Sequence, residues 1–456
     1  MKVSKYIKFF ELDQDTDIIM NSVTGAIDMV NHDISSILKN QNEINADIPF
    51  YESLKARGYI IDNNDDQKQL EKLVNRQIST AMGVFIICPT FLCNLRCPYC
   101  FEGLDIRKES KVLEKKDVDK IFDAIKEIQN LRGFKKIRIL LYGGEPFLNI
   151  TKNIVTYIFD KSEQNDYTIQ TITNGTQLHL YEELFRKHLN RISSFQITLD
   201  GPEKIHNKLR ITANKTGTFE AITNNIDMCI NIGIPIALRI NTGVENVRYI
   251  KEIISLIESR NWHNSKYFSC QFAPITDHFC TSILPNWSPE YQIMEKIINQ
   301  FDDFEEYRDK YKLLLGSDME KRIKLLRSLW KCESNFDMMP KAGPCSAAAR
   351  NYYIFGPDNY IYACPETVGK VEYSIGKYYP EFMIDNEKEK VWSRNVSNIE
   401  GCKNCNIAGL CGAGCIWSSV ATNGKNFNKA QCNYAQETID TYFNLNIERI
   451  KKISCE

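Results

Sequence analysis

Three cysteines within eight residues constrain this chain more than any other feature. Cys93-Asn94-Leu95-Arg96-Cys97-Pro98-Tyr99-Cys100 spaces them three and two residues apart. Seven more lie far downstream: Cys345, Cys364, Cys402, Cys405, Cys411, Cys415 and Cys432. An iron–sulfur cube takes four ligands, one per iron. Three thiolates on one short loop therefore leave an iron with an open position. Such an iron binds something other than protein, so a cluster there is a reagent rather than a staple. A zinc knuckle is the competing reading, but no fourth Cys or His follows closely.

Composition narrows the setting. The formal net charge of −1 offers no basic surface for nucleic acid or an anionic membrane. Met1-Lys2-Val3-Ser4-Lys5-Tyr6 leads into no long apolar run, so neither a signal peptide nor a membrane span is expected. Sixteen cysteines in such a chain predict a reducing, cytoplasmic setting, where thiolates bind metal instead of pairing.

With 456 residues, several domains are expected. Residues 1–75 read as a small unit. Tyr6–Leu12 and Ile18–Met20 are strand-like around a turn at Asp13–Thr16. Asn31 is an N-cap candidate for a helix with Ile34, Ile37 and Leu38. A second helix around Leu54 stops near Gly58, and Asp62–Lys72 has the polarity of a linker. Residues 80–285 alternate β-branched runs with helical periodicity. The strand candidates are Val84–Ile87, Ile137–Leu141, Thr168–Thr173, Phe195–Leu199 and Ile236–Ile240. Repeated βα units imply an α/β fold with a parallel sheet, open or closed into a partial barrel, with ligands at the carboxyl ends of its strands. Residues 286–343 read as a charged helical bridge. Residues 344–456 are short loops with too little periodic apolar sequence to fold by burial alone, and metal ligation would supply the rest.

Short polar motifs stand where strand ends are expected. These are Gly143-Gly144-Glu145-Pro146, Thr173-Asn174-Gly175-Thr176, and Leu199-Asp200-Gly201-Pro202 followed by His206 and Arg210. Singly, each reads equally as a plain βα turn. Their order behind the C-x3-C-x2-C loop resembles the radical SAM superfamily. The resemblance implies a partial (β/α)6 TIM-like barrel and a [4Fe–4S] cluster on Cys93, Cys97 and Cys100. It also implies S-adenosylmethionine held near Tyr99, Gly143, Gly144, Glu145, Thr173, Asn174, Asp200 and Arg210. Glu145 would then accept from the ammonium and Arg210 would pair with the carboxylate. Cleavage of that molecule would give a 5′-deoxyadenosyl radical, and the protein's part is to position it.

The spacing Cys402-x2-Cys405-x5-Cys411-x3-Cys415, then Cys432, resembles a SPASM domain, with a zinc ribbon as the alternative. The resemblance implies two auxiliary [4Fe–4S] clusters, for three in all. Cys402, Cys405, Cys411 and Cys432 would hold one, and Cys345, Cys364 and Cys415 the other. Cys332 is a candidate for the missing ligand; without it, an open iron would take a substrate thiolate. The family pattern has Gly five positions before the second cysteine, where Asn359 stands here, a residue that tolerates left-handed backbone. Sulfatase-maturing relatives carry Asp directly after that cysteine, whereas Cys364 is followed by Pro365 and Glu366.

The winged-helix-like front unit resembles a PqqD-like leader-recognition domain, with a capping module as the alternative. A radical SAM peptide maturase of the sactipeptide or ranthipeptide type is therefore expected. It would join a cysteine sulfur of a ribosomal precursor peptide to a carbon of another residue. A flavodoxin or ferredoxin would donate electrons. The alternatives are a carbon–carbon crosslinking maturase and a radical dehydrogenase acting on a small molecule.

Overall fold

The computed structural model describes residues 1–40, 43–62, 65–78, 82–100, 102, 111–275, 287–330, 340, 345–422, 424, 426–432 and 434–454. Cys332, Cys280, Cys455 and His278 lie outside them. The described residues form two compact units. One combines Met1–Ser79, Ser317–Ala349 and Arg394–Glu456; the other combines Thr80–Gly316 and Arg350–Ser393.

The first unit starts with strand β1 (Lys2–Val3), then β2 (Ile7–Glu11), β3 (Thr16–Asn21) and β4 (Ile27–Asn31). β2, β3 and β4 form an antiparallel sheet, and β1 pairs with β5 (Ile60–Ile61). Asn31 caps the helix His32–Asn40 as expected: its side-chain oxygen accepts from the Ile34 N–H at 3.0 Å.

The polar stretch after β5 is a helix, Asp65–Ile78, and not a linker. Leu70, Leu73 and Val74 lie on one helical face and are buried with Tyr6, Val23, Val396, Ile399, Cys402, Ala408 and Ala413. The two ends of the chain thus share one apolar core. The Tyr6 hydroxyl donates to the Lys403 carbonyl at 2.8 Å, 397 residues away. Lys5 Nζ donates to Asn404 at 3.0 Å. A Cβ on Gly409 would meet the Ser22 carbonyl at 1.8 Å, so the cysteine-rich segment lies directly against the β3–β4 turn. The Phe10 and Phe443 ring centroids lie 4.6 Å apart, tilted by 31°, beside the Lys8–Asp440 ion pair.

The second unit is built on β6 (Met82–Ile87), β7 (Lys136–Leu141), β8 (Thr168–Thr173), β9 (Ile192–Thr198), β10 (Ile236–Thr242) and β11 (Phe268–Pro274). These six strands lie in sequence order and pair in parallel, as a partial (β/α)6 barrel requires. Each pair of neighbours is linked by a helix, such as Lys115–Arg132 after β6. That helix begins in a reciprocal Glu114/Asp117 capping box and ends at Gly133, φ +70°. Its apolar stripe of Val118, Ile121, Phe122, Ile125 and Ile128 is fully buried.

The sheet continues past β11 into β12 (Leu313–Leu314). Past β6 it continues into β13 (Tyr352–Phe355), β14 (Tyr360–Tyr362), β15 (Gly376–Lys377) and β16 (Met383–Ile384). β12 is parallel to β11 and β13 to β6, whereas β13 to β16 pair antiparallel with one another. Residues just after the last helices therefore extend the barrel sheet. Asn359, in the β13–β14 turn, has φ +76°, the left-handed backbone that its replacement of glycine demands. Cys229 and Cys270 are fully buried core residues.

Candidate active site at the strand ends

The site is assembled around the cysteine loop that leaves β6. The loop is fastened on three sides. Past β7, the Glu145 N–H donates to the Leu92 carbonyl at 2.8 Å. Past β8, Asn174 Nδ2 donates to the Asn94 side chain at 2.8 Å and reaches Cys93 Sγ at 3.9 Å. After Arg210, the Ile211 carbonyl accepts from the Arg96 N–H at 2.8 Å.

The two glycines before Glu145 make the first contact feasible. Gly144 has φ +51°, and a Cβ there would sit 2.3 Å from the Leu92 carbonyl. Gly143 has φ +89°, and a Cβ would strike Cys88 Sγ at 2.5 Å. What approaches this backbone closely is the cysteine loop itself. Gly144→Ala is expected to cost roughly 1–3 kcal/mol of local strain and to displace the Cys93–Cys100 loop. Iron content per chain and circular dichroism of the folded variant would measure this.

All three cysteines line one cavity of about 370 Å³. Around them stand Tyr99, Gly144, Glu145, Thr173, Asn174 and Arg210. Gly143 and Asp200 lie behind this lining as supports. The Glu145 carboxylate, 2% exposed, accepts from Thr173 Oγ1 and the Asn174 N–H, both at 2.6 Å, and from the Phe147 N–H at 3.0 Å. Burial raises its pKa, and these hydrogen bonds oppose the rise. Glu145 therefore locks the ends of β7 and β8 together while facing the cavity.

Asp200 is fully buried. It accepts from the Tyr99 hydroxyl and, at 2.9 Å, from the Asn241 N–H. Arg210 Nη1 donates to the Tyr99 hydroxyl at 2.8 Å and lies 3.7 Å from the Asp200 carboxylate. Arg210 Nε is buried with no protein acceptor, so this guanidinium retains a donor at the cavity wall. His206 is pushed down to about 3, first by burial and then by Arg210. Its Nδ1 accepts from the Asp200 N–H at 3.2 Å, as a neutral ring can.

Sequence motifs missed several lining residues: Glu102, Tyr142, Gln196, Arg239, Asn241 and Glu366. A signal existed for the strand residues. Ala237, Arg239 and Asn241 alternate with buried Leu238, Ile240 and Thr242 along β10, which puts them on one face. Arg239 is a second cation at the cavity, with burial lowering its pKa. Glu366 follows Cys364 in the short turn Pro365–Thr367, and its Oε2 is buried without a hydrogen-bond partner.

Three thiols, two guanidinium groups and a ring of hydrogen-bonding side chains at strand carboxyl ends fit a thiolate-held cluster beside a small zwitterionic molecule. In the first unit, Cys402 and Cys411 are each acted on electrostatically by Cys405 and Cys432. These four thiols are thus close enough to act on one another. Cys345 and Cys415 belong to the same unit, whereas Cys364 belongs to the other. None of the described cysteines is in a disulfide. Among the described residues no three His, Cys, Asp or Glu side chains converge on a single-ion site.

Residues 87–257 match the family described as the Radical SAM superfamily. A cysteine-type anaerobic sulfatase-maturating enzyme of Clostridium novyi is 25% identical over 79% of this chain and 94% of its own length. A radical SAM cyclopropyl synthase, TigE, of Paramaledivibacter caminithermalis is 23% identical, covering 91% of this chain and 89% of its own. Among solved structures, native anSMEcpe with bound AdoMet matches with a TM-score of 0.60 at 16% identity, covering 82% of this chain and all of that one. Streptococcus suis SuiB bound to its precursor peptide SuiA matches with a TM-score of 0.53 at 13% identity, covering 95% and 99%.

Proposed function

We propose that this radical SAM superfamily enzyme is a peptide maturase that crosslinks a cysteine sulfur of a ribosomal precursor peptide to a carbon of another residue. The cavity lined by Cys93, Cys97 and Cys100 at the strand ends carries this reading. The second cysteine-rich set and the likeness to peptide-modifying maturases support it. On this reading residues 1–75 recognise the leader and the barrel spans 80–285. A helical bridge spans 286–343, and 344–456 hold two auxiliary clusters. β4 ends the three-stranded sheet, and a sheet edge suits a peptide, because main-chain hydrogen bonds give affinity without a preformed pocket. Cysteines without a disulfide among the described residues favour a reducing cytoplasm, and a flavodoxin or ferredoxin would supply electrons.

When bound, S-adenosylmethionine with the cluster supplies a 5′-deoxyadenosyl radical that removes hydrogen from a substrate carbon. The protein's residues do the rest. Arg210 and Arg239 would present positive charge to the carboxylate of the zwitterion. Glu145 fixes Thr173 and Asn174 in the cavity wall, where they would meet its polar groups. Tyr99, fixed by Asp200 and Arg210, keeps the cysteine loop in register. Holding both peptide groups in the cavity makes their joining a local step. The substrate thiol must lose its proton, and the Glu366 carboxylate, which lines the cavity and whose Oε2 is buried without a hydrogen-bond partner, would take it. Joining sulfur to the carbon radical releases one electron, which an auxiliary centre held by the downstream cysteines would accept.

Glu366→Gln is then expected to keep 5′-deoxyadenosine formation and to cut crosslinked product by about 10²–10⁴-fold, the usual contribution of a positioned base. Chromatography of deoxyadenosine beside mass spectrometry of the peptide separates the two. The reading as a whole is tested by co-expression with a short cysteine-rich peptide from the neighbouring reading frame. A product lacking two hydrogens, with a cysteine that resists alkylation, is expected. A crosslink that leaves every cysteine alkylatable would favour carbon–carbon joining.

A further inference from the structure

The Arg394 side chain is the starting point. The residue is 1% exposed, in the unit that holds most of the downstream cysteines. Its Nη1 donates to the carbonyls of Phe427, at 3.0 Å, and Lys429. Its Nη2 donates to the carbonyls of Ala413, at 2.9 Å, and Gly414, at 3.1 Å. Its Nε is buried with no acceptor. Among the described residues no carboxylate pairs with it.

A buried guanidinium without an anion is unfavourable by several kcal/mol. Carbonyl dipoles orient the fork and bring no net negative charge. The ionisable groups that act on Arg394 are instead thiols: Cys345, Cys415, Cys402 and Cys411. They come from both of the downstream ligand sets. Burial pushes the guanidinium down, and these four push it back up. Neutral thiols would leave the cation uncompensated. Thiolates bound to an iron–sulfur cube would not, because such a cube carries net negative charge.

The carbonyl partners have a second meaning. Ala413 and Gly414 stand between Cys411 and Cys415, and Phe427 and Lys429 precede Cys432. One side chain thus ties together the two backbone segments that present these cysteines.

We propose that Arg394 is the fixed counter-charge of an anionic iron–thiolate centre in the cysteine-rich region, and that it raises the reduction potential of that centre. The inference rests on reading the downstream cysteines as cluster ligands. A nearby cation stabilises the more negative, reduced state more than the oxidised one. An auxiliary centre tuned in this way is the better acceptor for the electron released when the peptide is joined.

The test compares the full-length parent, Arg394→Lys and Arg394→Met after anaerobic reconstitution with iron and sulfide. Iron and sulfide per chain are measured, then reduction midpoints by spectroscopically monitored titration. Arg394→Lys is expected to keep its iron and a midpoint near the parent's. Arg394→Met is expected either to lower the midpoint of one auxiliary centre or to lose that centre's iron while the lysine variant keeps it. The centre on Cys93, Cys97 and Cys100 should be unmoved in both. A fully loaded Arg394→Met with the parental midpoint would overturn the proposal. So would equal iron loss in both variants, since hydrogen bonding and not charge would then be the requirement. A parent without iron beyond the Cys93–Cys97–Cys100 centre would overturn the cluster reading as well.

Discussion

Replacing Cys93, Cys97 and Cys100 together with alanine will abolish 5′-deoxyadenosine formation from S-adenosylmethionine. The three thiols line one cavity with Tyr99, Glu145, Asn174 and Arg210. They sit on a loop fastened to β7, to β8 and to the segment after Arg210. Alanine is smaller than cysteine and the loop's fastenings are backbone and asparagine bonds, so the barrel should survive. Iron per chain should fall by about four, one cube's worth, while the remainder stays on the downstream cysteines. Reduction with dithionite and chromatography of the nucleoside products checks the first point, and iron analysis the second. A triple variant that still cleaves the cofactor would place the radical cluster elsewhere.

Tyr6→Ala should destabilise the protein by about 3–5 kcal/mol, the usual cost of removing a fully buried aromatic ring. Tyr6 is completely buried in the core shared by Leu70, Leu73, Val74, Val396, Ile399 and Cys402. Its hydroxyl holds the Lys403 carbonyl, inside the Cys402–Cys405 loop. The variant should therefore also lose iron from the downstream centre before it loses cofactor cleavage. Tyr6→Phe removes only the hydroxyl and should cost about 1 kcal/mol. Urea unfolding with parallel iron analysis distinguishes the two. An alanine variant as stable as the parent would mean that the front sheet packs elsewhere in solution.

That second result bears on what the sequence could reveal. The strand runs from Val84 to Ile240 were legible because each is rich in β-branched residues and the first four lead into a cysteine or polar motif. The C-x3-C-x2-C loop was legible because ligand spacing is local. Asp62–Lys72 misled because its charges dominate the composition. Yet Leu70, Leu73 and Val74 carry the helical period, and that period was the better guide. The cysteine-rich tail looked too poor in apolar sequence to fold by burial. It completes its core with Tyr6 and Val23, residues some four hundred positions away that no local pattern connects to it.

The site showed the same division. Glu145 and Arg210 were found by motif but assigned to ligand contacts alone, whereas their bonds to Thr173, Asn174, Tyr99 and Asp200 make them organisers of the strand ends. Arg239, Asn241 and Gln196 belong to no short motif, and only their alternation along a strand marks the cavity face. Glu366 entered the sequence argument only as a departure from the sulfatase-maturing pattern. Its place in the cavity depends on how the segment after β14 folds back, which spacing cannot tell.

The central claim, radical joining of a cysteine sulfur to a peptide carbon, is tested most directly by one isotope experiment. A cysteine-rich precursor peptide from the neighbouring reading frame, deuterated on its non-cysteine residues, is incubated with reconstituted enzyme, S-adenosylmethionine and a reductant. The account predicts deuterium in 5′-deoxyadenosine and a peptide that has lost one deuterium and one thiol hydrogen, with a new bond from sulfur to the formerly deuterated carbon. Deoxyadenosine free of deuterium, or a peptide whose cysteines all remain alkylatable, would contradict it.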